Sequence, residues 1–488
     1  MKTLMLCFSI LLLFFSSSAE AAKHHSRPGV QRYFAAANPE GKFAFLLDMP
    51  KGADLDEVLS GSVYAESLIA WAAKKGLCLD DSLTLALPPC GENNPSVKSA
   101  LSNPELYSAI LDAWSMRDSK ERDHFHAAFG KFEKAEQGMT GAMLAKMLSR
   151  AAREHLLYME IALTPDDGAA FELGKRLGWD GNFHNTLENL ENNGLARVVK
   201  SSLKEIRLSE SEKDGLLKCS TPDADPGCFV SVHYLYAVSR NTTPGAVFAQ
   251  LATGFELASI DDSGFSGVLL KGPEDESMQD FSLHMQMLDF LKSIHPGAHV
   301  AVNAGELSLR LVPPEGLSSH VSEAVMLGHA ERIGQGADIM YEVKGLMQQL
   351  SKRKVLVDIC PGRIGIVLGK NENPLPLYLK HDVPASISSC DAGVLRSEIS
   401  REYLEAALEN NLGYADLKNI ARNGLEHAFV SGKSLWQNAS RFTPARPCSR
   451  DLSRLKASRR CRNYLDANEK ARLQWQLETE FRAFEKRY

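Results

Sequence analysis

Short runs of β-branched and aromatic residues recur along the chain, and amphipathic helical stretches separate most of them. Eight such runs are present, at 53–58, 156–163, 229–238, 266–271, 299–303, 330–334, 354–359 and 385–390. Strands that alternate with helices form a parallel sheet, and eight strand–helix units suggest a closed barrel. The sequence therefore predicts an α/β protein built on a (β/α)8 TIM-like barrel. A doubly wound open sheet is the alternative fold.

The segments around the strand pattern predict the domain organisation. We predict a signal peptide at 1–21, a lead-in at 22–48, the barrel at 49–436 and a C-terminal helical extension at 437–488. The stretch at about 80–153 is too polar and too helix-patterned for one crossover connection, so it predicts a helical insertion after the first strand. The charged extension ends in a predicted long helix over 467–487.

The first residues have the pattern of a secretory signal peptide. Lys2 precedes an apolar run from Leu4 to Phe15, and a small-residue cleavage pattern ends at Ala21. This run is too short to span the roughly 30 Å core of a bilayer, so a membrane anchor is the less favoured alternative. We expect a mature chain without a transmembrane segment, exported to the periplasm or the extracellular medium.

Export gives the cysteines a structural meaning. Without Cys7 the mature chain would keep eight of nine cysteines, and an even number in an oxidising compartment indicates disulfides. Cys360 and Cys390 end neighbouring strands of the predicted barrel. The sequence leaves two alternatives for this pair, a disulfide or two buried free thiols. Three other pairs close short polar loops: Cys78 with Cys90, Cys219 with Cys228, and Cys448 with Cys461.

The overall charge limits the class of partner. The chain has 55 Lys and Arg against 61 Asp and Glu, a net charge of −6, which lacks the basic footprint of a nucleic-acid binder. We therefore expect no nucleic acid as a partner. The sequence does not identify a protein partner.

Four segments are informative, at 49–55, 303–306, 331–336 and 388–393. They resemble motifs of the adenosine deaminase family, in its secreted growth-factor-like and bacterial branch. The resemblance covers nearly all of the mature chain and implies the same barrel. It also implies the family's chemistry, in which zinc activates a water that deaminates a purine nucleoside. The matching segments are 49–55, Asn303-Ala304-Gly305-Glu306 for HAGE, 331–336 for RIGHG and 388–393 for STDDEG.

The resemblance implies that three histidines and an aspartate hold zinc, and all four positions differ here. They are occupied by Asp56, Val58, Asn303 and Cys390. Valine has no donor atom, and a neutral amide oxygen is a weak ligand for zinc. We therefore predict no metal and no cofactor. A different cation held by Asp56, Asn303 and Cys390 is an open alternative.

The resemblance also implies the catalytic and substrate-binding positions. Gln335 replaces the histidine that helps to activate the water, while Glu306, the proton shuttle, and Asp391, which contacts the base, are retained. Gly305 is a further substrate-binding candidate. The two carboxylates have a second interpretation, because such groups often pair with arginine; the candidate partners are Arg332, Arg363 and Arg396.

Two histidines outside these motifs form an HxH pattern. His124 and His126 lie in a predicted helix, where i, i+2 side chains do not face one another, so we interpret them as surface or packing residues.

Together the positions predict an exported, catalytically degenerate adenosine deaminase-like pseudoenzyme with a hydrolase fold and a purine nucleoside as its candidate ligand. One alternative is an active hydrolase that converts adenosine and water to inosine and ammonia with an altered or absent metal site. Another is a scaffold whose pocket is closed.

Overall fold

A computed structural model describes residues 28–276, 278–369 and 372–488, and for Gln279 only the backbone. The predicted signal peptide, with Cys7, lies outside the described residues. All eight predicted strands are present and their ends shift by only a few residues. They are β1 Gly52–Val58, β2 Leu156–Leu163, β3 Ser231–Ser239, β4 Phe265–Lys271, β5 His299–Ala304, β6 Arg332–Gln335, β7 Leu356–Ile359 and β8 Ala385–Ile387.

The strands form one parallel sheet in chain order from β1 to β8, and this order confirms the barrel rather than a doubly wound open sheet. No backbone ladder joins β8 to β1. Side chains close this seam: the Leu55 amide donates to Ser388 Oγ at 2.9 Å, and Ser389 Oγ donates to Asp54 Oδ2 at 2.5 Å and to Glu57 Oε2 at 2.9 Å.

Helices cover the outside of the sheet. Their amphipathic patterns place apolar faces on the strands, and the long helix predicted over 467–487 is present at Glu469–Phe484. The helices are α1 Pro28–Ala36, α2 Pro39–Asp48, α3 Ala65–Lys74, α4 Val97–Ala100, α5 Pro104–Ala113, α6 Arg122–Glu136, α7 Thr140–Arg153, α8 Ala169–Leu177, α9 Phe183–Asn193, α10 Leu195–Leu217, α11 Pro244–Ala258, α12 Phe281–Ile294, α13 His320–Met326, α14 Leu346–Arg353, α15 Pro361–Val367, α16 Leu375–Lys380, α17 Ala392–Leu395, α18 Ile399–Glu409, α19 Tyr414–His427, α20 Arg459–Asp466 and α21 Glu469–Phe484.

Alternate strand residues fill the inside of the barrel. Small apolar side chains from β2 to β5 form a cluster with Phe429, separate from the main core that lies between strands and helices. In the same interior, Arg332 on β6 donates to Glu160 on β2 at 2.6 Å and lies over the Phe429 ring at 4.4 Å. Successive side chains of a strand point to opposite faces of the sheet. Near the carboxyl end of each strand, every second side chain therefore points into the barrel mouth.

The segment between β1 and β2 is mostly helical, as predicted, and runs from α3 to α7. It also contains a short antiparallel hairpin, Cys78–Leu79 with Leu85–Ala86, which the sequence did not predict. The C-terminal extension forms its own apolar cluster around Trp436 and Phe442, and α21 packs against α19.

All three disulfides predicted from loop spacing are confirmed: Cys78–Cys90, Cys219–Cys228 and Cys448–Cys461. Among the described residues, no helix has the length and apolarity needed to cross a bilayer.

Candidate functional site

A small cavity of about 120 Å³ opens at the carboxyl ends of the strands. Its polar residues come from the ends of β1, β4 and β5 and from the loops after β7 and β8, while α6 supplies an aromatic wall. Five predicted site positions line it, namely Asp56, Val58, Asn303, Cys390 and Asp391. The other lining residues are Phe125, His126, Phe129, Lys271, Gly272, Pro273 and Arg363.

One arginine binds both retained carboxylates. Arg363, in the first turn of α15, donates to Glu306 through Nε at 2.6 Å and Nη2 at 2.8 Å, and to Asp391 through Nη1 at 2.8 Å. All three side chains are largely buried. The alternative that these carboxylates pair with an arginine is therefore correct, and of the three candidates Arg363 is the partner. Arg332 pairs with Glu160 and Arg396 with Glu66.

Burial and charge act in opposite directions in this group. Burial lowers the pKa of Arg363, but the Glu306 and Asp391 carboxylates outweigh it and hold that pKa above its ordinary value. Burial raises the pKa of Asp391, and the Arg363 and Lys271 cations oppose that rise. Arg363 therefore remains a permanent cation between the two carboxyl groups.

A fourth disulfide crosslinks the loops after β7 and β8. Cys360 and Cys390 are bonded with their Cα atoms 6.1 Å apart, which decides the question that the sequence left open. Gln335 lies beneath it, fully buried, accepting from the Cys360 amide at 3.2 Å and placing Nε2 3.5 Å from Cys390 Sγ. Cys390 lies three residues beyond the end of β8, whereas the predicted strand included it.

The backbone around this disulfide is unusual. Gln335 has φ +72° and Cys390 has φ +43°, both in the left-handed region that non-glycine residues rarely adopt. Such conformations persist where the surroundings determine them, and they cluster at functional sites.

Asp56 and Asn303 face each other across Gly334. A Cβ on Gly334 would lie 2.2 Å from Asn303 Oδ1 and 3.2 Å from Asp56 Oδ2, so any larger residue there would require the Asn303 side chain to move. Burial, followed by repulsion from Asp358, raises the pKa of Asp56 to about 7. Asn303 Oδ1 is buried and has no hydrogen-bond partner among the described residues.

These residues do not fit a zinc ion. The only cluster of three metal-binding side chains in the described part of the chain is Asp56 with Cys360 and Cys390. Both sulfurs are consumed by the disulfide, and zinc requires deprotonated thiolates. What remains is one carboxylate and the amide oxygen of Asn303, short of the four donors of a tetrahedral site. The alternative cation site at Asp56, Asn303 and Cys390 is left with the same two donors, because the Cys390 sulfur is in the disulfide.

Two cavity residues were missed or misinterpreted from the sequence. Lys271 ends β4 and lines the cavity; burial lowers its pKa, and the Asp391 carboxylate opposes that fall. A lysine at the end of a predicted barrel strand is a signal that the sequence offered. His126 is not merely a surface or packing residue, because it forms part of the cavity wall and its buried Nε2 has no described partner.

The remaining positions are structural. His124 Nε2 bonds the Asp112 and Ser115 carbonyls at 3.0 and 3.1 Å, which agrees with a packing role. Gly305 does not line the cavity, and its amide donates to Glu274 Oε1 at 3.1 Å. That amide is therefore not available to a ligand in this conformation.

The adenosine deaminase family profile matches residues 143–438. An adenosine deaminase of Yersinia pseudotuberculosis is 32% identical over 182 residues, which are 37% of this chain and 47% of the relative. One from Escherichia coli is 32% identical over 147 residues, 30% of this chain and 41% of the relative. The matched part thus spans about half the length of these curated relatives.

Solved structures share the fold at low sequence identity. An adenine deaminase from Arthrobacter aurescens has a TM-score of 0.50 and 16% identity, covering 78% of this chain and 94% of its own. Arabidopsis ADAL complexed with IMP has a TM-score of 0.52 and 14% identity, covering 79% of this chain and 93% of its own. An amidohydrolase from Burkholderia ambifaria with bound Zn has a TM-score of 0.54 and 15% identity, covering 80% of this chain and 88% of its own.

The disulfide set predicts a defined thiol count. Protein lacking residues 1–21, denatured without reductant, should take up no iodoacetamide, and after reduction it should take up eight groups. Mass spectrometry of the unreduced digest should show Cys360 joined to Cys390. A Cys360→Ser variant is the control, since it should expose one thiol at Cys390. Labelling of both Cys360 and Cys390 in the unreduced protein would contradict the crosslink.

Replacing Arg363 with methionine should produce a pH-dependent loss of stability. Two buried carboxylates would lose their counter-charge, which typically costs about 3–5 kcal/mol in the free energy of unfolding near neutral pH. Burial already raises the pKa of Asp391, and without the Arg363 cation that pKa would rise further, so this carboxylate would take up a proton on folding. Stability of the variant is then higher below the unfolded pKa and falls as pH rises towards the folded pKa.

The measurement is urea unfolding at pH 5 and pH 7.5. The loss caused by Arg363→Met should be smaller at pH 5 by about 1–2 kcal/mol, since one pKa unit corresponds to roughly 1.4 kcal/mol. Arg396→Met is the matched control; its pair with Glu66 is partly exposed and should contribute less than about 1 kcal/mol at either pH. Equal losses for Arg363→Met at both pH values would contradict this electrostatic role.

Proposed function

The chain belongs to the adenosine deaminase family, and we propose that it is an exported member whose barrel mouth no longer supports zinc-dependent deamination. The observation that carries this proposal is the binding of both retained carboxylates by Arg363. The family resemblance assigns proton transfer to the position of Glu306. Both oxygens of that carboxylate accept from a guanidinium, which stabilises the anion and disfavours the transfer of a proton through it.

The metal positions support the same proposal. Deamination in this family relies on zinc to make a bound water nucleophilic, and the side chains at this mouth do not form a site for that ion. Cys390 is covalently bound to Cys360, and Val58 offers no donor. Gln335 cannot accept a proton near neutral pH, and its amide is committed to the two cysteines.

A second candidate function is binding of a purine nucleoside without chemistry. Two buried polar atoms without described partners border the cavity, His126 Nε2 and Asn303 Oδ1, and the Lys271 side chain lines it beside them. Buried polar groups are costly unless a ligand or water satisfies them, so the cavity is suited to a polar ligand. Similarity to Arabidopsis structures solved with IMP and GMP supports the purine class.

The size of the cavity limits this second function. A volume of about 120 Å³ is below the roughly 300–1,000 Å³ of pockets that enclose drug-sized ligands. A nucleoside would therefore require the wall formed by Phe125 and Phe129 on α6 to move outward. If this wall does not move, the closed scaffold is the better description.

The disulfide-bonded cysteines support the proposed export. Every cysteine after the predicted cleavage point is in a disulfide, which is typical of chains that fold in an oxidising compartment. The compartment stays a proposal, either the periplasm or the extracellular medium.

Metal content and turnover test the loss of catalysis. Purified protein should hold below about 0.1 zinc per chain after incubation with zinc and desalting, because a site short of donors does not retain the ion. Chromatography should detect no inosine formed from adenosine above a protein-free control. Stoichiometric zinc together with sustained inosine production would overturn the proposal in favour of an active hydrolase.

Reconstruction separates the metal defect from the Arg363 defect. One variant carries histidine in place of Asp56, Val58, Asn303 and Gln335, together with Cys390→Asp and Cys360→Ser. It should retain zinc but form no inosine, because Arg363 still occupies Glu306. Adding Arg363→Leu should release that carboxylate and permit inosine formation. Arg363→Leu alone is the control and should bind no zinc. Equal inosine formation with and without Arg363 would show that this arginine does not block the carboxylate.

Thermal unfolding tests the nucleoside ligand. A ligand that binds only the native state stabilises it by mass action, by about 2.7 kcal/mol at a concentration one hundred times Kd. Adenosine and inosine at ~1 mM should therefore raise the midpoint by a few degrees, and uridine should not. Lys271→Met should abolish the shift while the protein remains folded. Absence of any shift would favour the closed scaffold.

A further inference from the structure

A strongly basic segment lies in the C-terminal extension. Residues 441–462 contain eight basic side chains and one acidic side chain, although the whole chain has a net charge of −6. We call this segment the basic loop. Its basic residues are Arg441, Arg446, Arg450, Arg454, Lys456, Arg459, Arg460 and Arg462.

All eight basic side chains belong to exposed residues. None forms an ion pair with a described carboxylate, whereas most buried and half-buried arginines of the barrel do. The single acidic residue, Asp451, accepts from the Ser458 amide at 3.0 Å and from Ser458 Oγ at 2.6 Å, and one carboxylate does not balance eight cations. The positive charge is therefore not neutralised within the segment.

The basic loop is held in one shape. The Cys448–Cys461 disulfide brings its two arms together with Cα atoms 4.7 Å apart. Both cysteines are buried in the apolar cluster with Trp436 and Phe442, and Ser458 caps the start of α20 through the Cys461 amide. Charges on an ordered loop lose less conformational entropy on binding than charges on a free tail.

The disulfide also concentrates the charges. Successive Cα atoms are about 3.8 Å apart, so residues within two positions of either cysteine have Cα atoms within about 20 Å of each other. This group contains five arginines: Arg446, Arg450, Arg459, Arg460 and Arg462. At physiological ionic strength the Debye length is about 8 Å, so a ligand in contact with these guanidinium groups experiences them together, while the distant acidic surface is largely screened.

We propose that the basic loop is a binding surface for an anionic polysaccharide that carries sulfate or carboxylate groups. Seven of the eight basic residues are arginine, whose planar guanidinium donates two parallel hydrogen bonds to such groups. A flexible, periodically charged chain can contact several arginines of a compact patch at once. The surface is separate from the barrel mouth, and this proposal requires from the proposed function only the export of the chain.

The composition of the surface distinguishes this ligand from the other polyanions. Phe442 is the only aromatic residue in the basic loop and it is buried, so the loop has no stacking platform for unpaired bases. No large hydrophobic side chain of the loop is exposed, because Leu452 and Leu455 are partly buried, so it lacks the apolar anchor of a membrane-binding segment. A linear polysaccharide requires neither feature.

The test compares two variants that remove the same number of charges. The first replaces Arg450, Arg454, Arg459 and Arg460 with alanine in the full chain. The control replaces four exposed basic residues of α10, Arg197, Lys200, Lys204 and Arg207, with alanine. Each variant lowers the net charge by four, so only the position of the lost charge differs. Circular dichroism and thermal unfolding of both variants confirm that the fold is retained.

Binding to immobilised heparin, a sulfated polysaccharide, is measured over a range of salt concentrations. The basic-loop variant should lose at least about tenfold in affinity at low salt, and its dependence on salt should be shallower, since fewer counterions are displaced. The α10 control should change by less than about twofold. Neutral dextran should not bind any of the three proteins.

Two competitors assign the class of ligand. Heparin binding should resist a DNA duplex and anionic lipid vesicles at equal concentrations of charge. Equal losses in both variants would overturn the proposal, because the interaction would then follow net charge rather than this surface. Stronger binding to the duplex or to the vesicles than to heparin would overturn the assignment to a polysaccharide. Absence of heparin binding by the unmodified chain would overturn it altogether.

Discussion

The ion pairs of Arg363 with Glu306 and Asp391 determine the arrangement of the barrel mouth. A buried ion pair is strongly destabilised when one partner is removed, because an uncompensated charge then remains in a medium of low polarity. Glu306 follows β5, Asp391 follows β8 and Arg363 opens α15 after β7, so one guanidinium joins three loops of the barrel rim. The two carboxylates therefore have a structural reason to persist that does not depend on deamination.

The disulfide and the seam reinforce this arrangement. The backbone ladder ends between β8 and β1, where a sheet closed by hydrogen bonds would continue. Ser388 and Ser389 replace the ladder with bonds to β1, and the Cys360–Cys390 bond ties the following loop back to β7. A covalent bond and buried side-chain bonds thus hold the region from which a metal ligand would need to project. The rim is rigid at the place where a zinc site would require an open position.

The sequence predicted the fold well because the signals for parallel strands are local. All eight strands were located from β-branched runs, and three disulfides from loop spacing, but the hairpin at Cys78 is too short to produce a periodic pattern. For the site, the sequence identified the residues along the chain but did not show which of them form ion pairs. Three arginines were candidate partners for Glu306, and only the three-dimensional packing selects Arg363. His126 was misinterpreted because the HxH pattern raises only the question of whether two histidines of one helix bind a metal together. A single histidine that faces a cavity leaves no pattern in the sequence.

Charge balance accounts for the basic side chains at the barrel mouth. Carboxylates buried at a barrel rim require positive charge nearby, which a divalent cation supplies in a metal site. Here Arg363 binds two of them directly and Lys271 lies near Asp56 and Asp391. These side chains provide the compensating charge that a zinc ion would provide, and their presence would also repel such an ion.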